Sequence, residues 1–346
     1  MPYYQRKKAR RVSVPAKKKR LWKRSWTIGS LAGIVLSAFI CFPLVVSPAA
    51  TTIAVFSLLA VCTATGWNLF SGLTGYLSFG IGAYSGLGAY VLAILCERLR
   101  VAGGLLPFAL LPLVALIISL LAFPIGWLSL RTRGATFLIV TSVTALFLQK
   151  LISILPLSEG DTGMLYPTPP WNGFFYTLPF YYLSLTLALF SVVLLWGIRS
   201  SRYGLCLLAL RDDEDRLSGF GKQTGLLKLG AFVLSCMLAS MSGAVGGYFV
   251  GSVTPVDAFA SSESLFPALM TLLGGNATVA GPAVGALLVE PLRAVLASQF
   301  DLVGLDLFLF GVVFLLLLLL LPQGIVPGLL GLWRKRRKRP SCGGQL

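Results

Sequence analysis

The stretch "RYGLCLLALRDDEDRLSGFGKQTG" (residues 202–225) decides how this chain is read. Asp212, Asp213, Glu214 and Asp215 stand in a row between Arg211 and Arg216, and apolar runs at 179–198 and 227–251 lie on either side. Each run approaches the ~20 residues that a helix needs to cross ~30 Å of hydrocarbon. Four acids do not belong in hydrocarbon, so the stretch is expected to emerge into water between two spans. The acids suit the first turn of a short helix, where negative charge meets the positive end of the dipole. Asp212 is expected to cap it, with Asp215 three residues on. The helix is expected to run to about Phe220 and to stop at Gly221, a residue suited to a left-handed C-terminal cap. Caps at both ends separate it from a bare solvated loop. They point to a surface on which a soluble partner docks.

Composition extends the reading to the whole chain. Of 346 residues, 56% are hydrophobic and only 12% charged, about half the charge of a soluble domain. The expected fold is all-α: a polytopic membrane helix bundle of about ten embedded segments. These are read at 26–47, 50–71, 76–96, 105–128, 135–155, 179–198, 227–251, 263–275, 277–297 and 303–321. The eighth is short for a full span and suits a half-helix or re-entrant piece.

The net charge of +17 resides in the tails. Eleven bases and no acid precede Ser25, and residues 334–339 are six consecutive bases. Elsewhere the charges balance. Basic tails beside apolar spans read as positive-inside anchors on anionic lipid, ahead of a nucleic-acid surface. This places both termini in the cytoplasm, at a bacterial-type inner membrane. The tails are 1–25 and 334–346, the membrane domain is 26–333, and the acidic loop is 199–226. Ten crossings from an inside start put Arg131, Arg133 and the acidic loop inside as well. Arg98 and Arg100 alone fall on the wrong side of the charge rule. The run 28–46 is longer than the apolar core of a signal peptide, so a retained first span is favoured.

The segment "TGWNLFSGLTGYLSFGIGAYSGLGAY" (residues 65–90) carries seven glycines. In water each weakens a helix by ~1 kcal/mol. In a membrane they permit close helix approach, or an unwound stretch that lines a cavity. Asn68, Ser71, Gly72, Thr74, Gly75, Ser78, Gly80 and Gly82 are therefore candidates both for tight packing and for a solute pathway. Gly243/Gly247, Gly281/Gly285 and Gly82/Gly86 repeat the small-residue spacing of closely packed helices. Glu290 and Arg293, three apart on one helix, read as a structural ion pair ahead of a substrate site.

Several chemistries are excluded or disfavoured. The chain has no His, its six Cys show no paired spacing, and no phosphate-binding G-x-x-x-x-G-K-[ST] loop is present. No array of acids deep in the spans suggests proton or sodium coupling. If the protein pumps, its energy comes from another polypeptide.

Four blocks, from about Leu59 to Trp333, resemble the LivM-type permease subunits of ABC importers for branched-chain amino acids and related solutes, urea included. They are "NLFSGLTGYLSFGIGAY", "ALRDDEDRLSGFGKQTGLLKLGAFVLS", "LLGGNATVAGPAVGALL" and "LPQGIVPGLLGL". The resemblance implies that the acidic stretch holds a cytoplasmic coupling helix. Arg211, Asp212, Asp213, Glu214, Gly221 and Lys228 then belong to its interface with an ATPase, or to its flanks. It also implies alternating access, a second permease subunit, two ATP-binding subunits and an extracytoplasmic solute-binding protein. ATP and Mg²⁺ belong to those partners, and this chain performs no covalent chemistry. Gly160, Asp161 and Gly163 resemble the binding-protein docking motif, and Gly274, Gly275 and Gly281 the final hairpin. The sequence departs from the family at Asp213, at Arg216 and Leu217, at residues 276–278 and at Glu159. A urea permease of the same family, a secondary transporter, a passive channel and a non-transporting scaffold are the alternatives.

Overall fold

The computed structural model describes residues 37–43, 45–155, 162–171, 174–299, 311–312, 315 and 324–328. Two units are distinguished, Met1–Ser47 and Pro48–Leu346. Residues 37–43 of the first are helical. Everything below concerns the second.

Its main helices are α1 (Pro48–Trp67), α2 (Ile81–Arg98), α3 (Leu111–Ser129), α4 (Ala135–Ile154), α5 (Phe174–Ser200), α6 (Arg202–Asp212), α7 (Glu214–Gly219), α8 (Thr224–Val250), α9 (Ser261–Gly274) and α10 (Gly281–Gln299). Among the described residues, five stretches are long and apolar enough to cross a membrane: Pro48–Gly72, Leu111–Ser129, Ala135–Ile154, Phe175–Ser200 and Thr224–Val250. The all-α membrane class holds; against the expected count of about ten, five such stretches stand among the described residues. Segments 26–47 and 303–321 lie mostly outside the described residues. The segments around 76–96, 263–275 and 277–297 form helices that are not among the five. One small departure from all-α is an antiparallel strand pair, β1 (Met164–Leu165) with β2 (Ser252–Val253), in which Met164 faces Val253.

The layering follows from which solvent each helix face meets. Of the most apolar window of α8, 61% is buried inside the protein, against 22% for α4. The central helix is thus α8 and α4 is peripheral. Leu116, Leu120 and Trp127 of α3, Ile139 and Phe147 of α4, and Val193 and Trp196 of α5 point outward. In water such a belt is a liability; against lipid tails it costs nothing.

Small residues bring α1 and α2 onto α8. A Cβ on Gly243 would lie 2.0 Å from the Ser85 carbonyl oxygen, and one on Gly88 2.1 Å from that of Ser240. No other residue fits at those two crossings. Gly66 of α1 lies beside Leu238 and Ala239, Ser242 donates to the Leu59 carbonyl, and Phe56 meets Phe249, so α1 runs antiparallel to α8. On α2, Tyr84 meets Phe232 and Ala89 meets Gly247, so α2 runs parallel to it. Where the three cross, Trp67, Ile81, Ala239 and Ala268 form a buried cluster with Phe79 against it.

This arrangement sorts the connections to two ends. At one, the α1–α2 connection, the α3–α4 turn and the α6–α7 element touch each other. At the other gather Gly103, Gly104, the β1 strand with Tyr166, and β2.

Candidate coupling site

The acidic run does not form one helix. Ser201 caps α6, its Oγ accepting from the Gly204 amide at 3.3 Å, and α6 continues through Asp212. The chain then extends at Asp213 (φ −160°, ψ 104°), whose Oδ1 accepts from the Arg216 amide at 3.0 Å and so caps α7. The cap is therefore Asp213 and not Asp212, and its amide partner is Arg216 rather than Asp215. The physical reason is that residue 212 still belongs to the preceding helix, so the four acids straddle a break between two helices. The end of α7 is as expected: Phe220 closes it and Gly221 takes φ +74°. None of the residues of α7 is buried.

Two side chains tie this element to the bundle. Glu214, at the first turn of α7, points inward with 13% of its side chain exposed. It receives the Lys228 ammonium at 2.7 Å and the Tyr76 hydroxyl on its other oxygen. Lys228, at the start of α8 and 4% exposed, also sits 3.3 Å from the Tyr76 hydroxyl and 4.6 Å from the centre of its ring. Arg133, from the α3–α4 turn, reaches Asp215 at 3.1 Å and approaches Glu214 at 4.0 Å. Independently, the Arg211 guanidinium donates to the Gly72 carbonyl at 3.0 Å.

The electrostatics are consistent with an ionised clamp. Burial pushes Glu214 upward, but hydrogen bonds from Lys228 and Tyr76, with the charges of Lys228 and Arg133, outweigh it. Its pKa lies below the ordinary glutamate value. Burial first, then the adjoining Glu214 carboxylate, pushes the Tyr76 hydroxyl up, so it remains a donor.

The clamp grips the glycine-rich segment itself. After α1 the backbone makes one wide turn, Asn68–Gly72, with hydrogen bonds of π-helical spacing. Such turns are rare and concentrate at functional places. Residues 73–80 then run on to α2 without forming a regular helix throughout. Asn68 bridges to the α9–α10 turn, donating to the Thr278 carbonyl at 2.8 Å and accepting from the Ala277 amide at 2.9 Å. Ser71 accepts from the Ser78 amide, Thr74 donates to Phe70, and Trp67 donates to the Ser78 carbonyl at 2.9 Å. The irregular backbone is thus satisfied by protein, as it must be at membrane depth. A Cβ on Gly72 would sit 2.0 Å from Asn68 Oδ1, and Gly75 (φ +78°) lies against the Arg211 stem.

Of the residues expected at the site, Arg211, Glu214 and Lys228 converge with the glycine-rich segment, while Asp212 and Gly221 are exposed to solvent. Asp213 pairs with Arg216 at 2.8 Å. Gly80 packs on Thr141 and Gly82 on the backbone at Glu263 and Ser264, which is close approach. Gly274, Gly275 and Gly281 pack together in the α9–α10 hairpin. Gly163 (φ +79°) fits under the Val253 carbonyl at the opposite end, and Gly160 and Asp161 lie outside the described residues. Sequence reading missed Tyr76 and Arg133. Tyr76 sits inside the glycine-rich block, and Arg133 is one of two bases in the short connection between two apolar runs; neither marks its partner.

Comparison with known proteins bears on this geometry. Residues 49–319 match the family described as branched-chain amino acid transport system, permease component. The high-affinity branched-chain amino acid transport system permease proteins LivM of Escherichia coli and of Salmonella typhimurium are each 25% identical over 319 residues, covering 83% of this chain and 72% of theirs. A probable LivM of Methanocaldococcus jannaschii is 28% identical over 137 residues, 36% of this chain and 39% of its own. No solved structure matches. The family match spans most of the chain and takes in the clamp, the glycine-rich segment and the α9–α10 hairpin together, and on that extent the chain belongs to the LivM-type permease components of branched-chain amino acid ABC transporters.

Proposed function

We propose that this chain is a transmembrane subunit of an ATP-driven importer for branched-chain amino acids or a related small solute. It works by alternating access with a second permease subunit. The exposed face of α6–α7, at the cytoplasmic surface with both termini, docks onto one of two ATP-binding subunits, which hold the ATP and Mg²⁺. A solute-binding protein delivers cargo at the opposite end, where Gly160, Asp161 and Gly163 belong. The helices α1–α5 and α8–α10, with 26–47 and 303–321, make up the ten membrane-embedded segments. A single observation carries the reading: the Glu214–Lys228–Tyr76 clamp and the Arg211–Gly72 bond attach the solvent-exposed acidic element to the interrupted helix in the bundle.

A movement imposed on α7 must either move residues 72–76 or break a charge-assisted network. A coupling free energy of ~3 kcal/mol changes site affinity ~150-fold. A clamped helix transmits that bias, and a frayed loop dissipates it. The test is uptake of labelled L-leucine into vesicles carrying the chain with its expected partners. Uptake should require hydrolysable ATP. Uptake by the chain alone, driven by an ion gradient or by none, would overturn the reading.

A further inference from the structure

Beyond the Trp67 cluster, on the side away from the clamp, lies a cavity of about 290 Å³. Its lining residues on α1 precede Trp67, while those on α2 and α8 follow Ile81 and Ala239. Along α8, eighteen residues separate Lys228 from Gly246, or ~27 Å. The cavity is of the size that takes a small organic molecule. Phe56, Leu59 and Met270 make part of it apolar, and Asp257, Glu263, Glu290 and Arg293 bring charge into it, with Asp257 bonded to the Thr254 hydroxyl.

The charges are unequally partnered. Arg293 lies 3.8 Å from Glu290, a loose ion pair, and 4.7 Å from the centre of the Phe266 ring. Arg293 keeps 40% of its side chain exposed. The Glu263 carboxylate, in the first turn of α9, makes no hydrogen bond or ion pair with any described residue; Arg293 attracts it only from farther off. Glu263 is an exposed residue on the cavity wall, and Arg293 keeps guanidinium surface for a second partner, so both are open to a ligand in the cavity.

We propose that this cavity is a solute site for a small zwitterion with an apolar side chain. Glu263 receives the ammonium group, Arg293 receives the carboxylate, and the side chain lies toward Leu59 and Met270. Three acids against one base reject a simple anion, and a simple cation leaves Arg293 without its second partner. The Trp67 cluster lies between the site and the clamp. The proposal rests on the importer reading for its biological sense, but its test needs neither nucleotide nor partner.

Gly246 lines the cavity, and the nearest atom to an added Cβ is Leu59 Cδ1 at 3.7 Å, so Gly246→Cys fits without displacing backbone. The full chain carrying it, in membrane vesicles, is labelled with a small water-soluble thiol reagent and the site is read by peptide mass. L-Leucine should slow labelling. At equal concentration, 4-methylpentanoate, which lacks the ammonium, and 3-methylbutylamine, which lacks the carboxylate, should not. Adding Glu263→Gln should raise the L-leucine concentration needed by about tenfold or more, as loss of a charge-assisted bond requires, and Glu263→Asp should restore most of the protection. Three results overturn the proposal: no labelling at Gly246→Cys, equal protection by 4-methylpentanoate, or protection indifferent to Glu263→Gln. Any of them leaves ATP-dependent uptake, and so the importer reading, standing on its own test.

Discussion

At the scale of residues, Glu214 does the opposite of what an isolated acid in a polar loop suggests. It faces the bundle, against Lys228 and Tyr76, while its neighbours Asp212 and Asp215 face solvent. Removing one partner strands the other, which for a buried pair costs about 3 kcal/mol. Lys228→Met should therefore destabilise the purified chain by up to that amount. The double variant Glu214→Leu/Lys228→Met should lose less than the sum of the two singles, as a denaturation cycle measures. The clamp also titrates in a defined direction. Because the folded pKa of Glu214 is lowered, its contribution is fully present above the ordinary glutamate pKa of ~4.3. It is lost as pH falls through the lowered folded value. The gap in melting temperature between wild type and Glu214→Gln should hold constant from neutral pH to about pH 5 and close below that range. A gap that closes above pH 6 would mean the carboxylate is not held ionised.

At the scale of elements, the glycines separate into those that touch something and those that do not. Gly72 is closed in by Asn68, and Gly197 of α5 has nothing within 4 Å of an added Cβ. Gly72→Ala should break the wide turn or the Asn68 bridge to the α9–α10 hairpin, with loss of uptake. Gly197→Ala should keep full uptake and gain up to about 1 kcal/mol of stability from helix propensity. Uptake and thermal unfolding of the two variants, measured side by side, check the contrast. Much of the element level was legible in sequence: apolar length gave α1, α3, α4, α5 and α8, and Gly221 gave the end of α7. The break at Asp213 was not legible, because either Asp212 or Asp213 supplies an acceptable cap and only the length of α6 chooses between them. Nor was the wide turn at Asn68–Gly72, whose Asn68 bonds residues 277 and 278, over two hundred positions away.

At the scale of the whole molecule, α8 is one rod of 27 residues, ~40 Å long, with the clamp at its start and the cavity at its end. Trp67 stands between them, fully buried and bonded to Ser78. Trp67→Ala should hollow out the packed layer between clamp and cavity at a cost of about 3–5 kcal/mol. It should also let preloaded L-leucine leak from vesicles without ATP, an efflux that wild type lacks. Tight vesicles with the variant correctly inserted would place the barrier elsewhere. The sequence by itself determined the solvent of this protein, its helical class and its family, because hydrocarbon demands long apolar helices and four local blocks carry the family resemblance. Tertiary structure alone decided which polar groups meet: Arg211 with Gly72, and Glu214 with Tyr76 and Lys228. Those pairings depend on how three helices cross, and crossing is set by small-residue contacts between distant segments that no local pattern encodes.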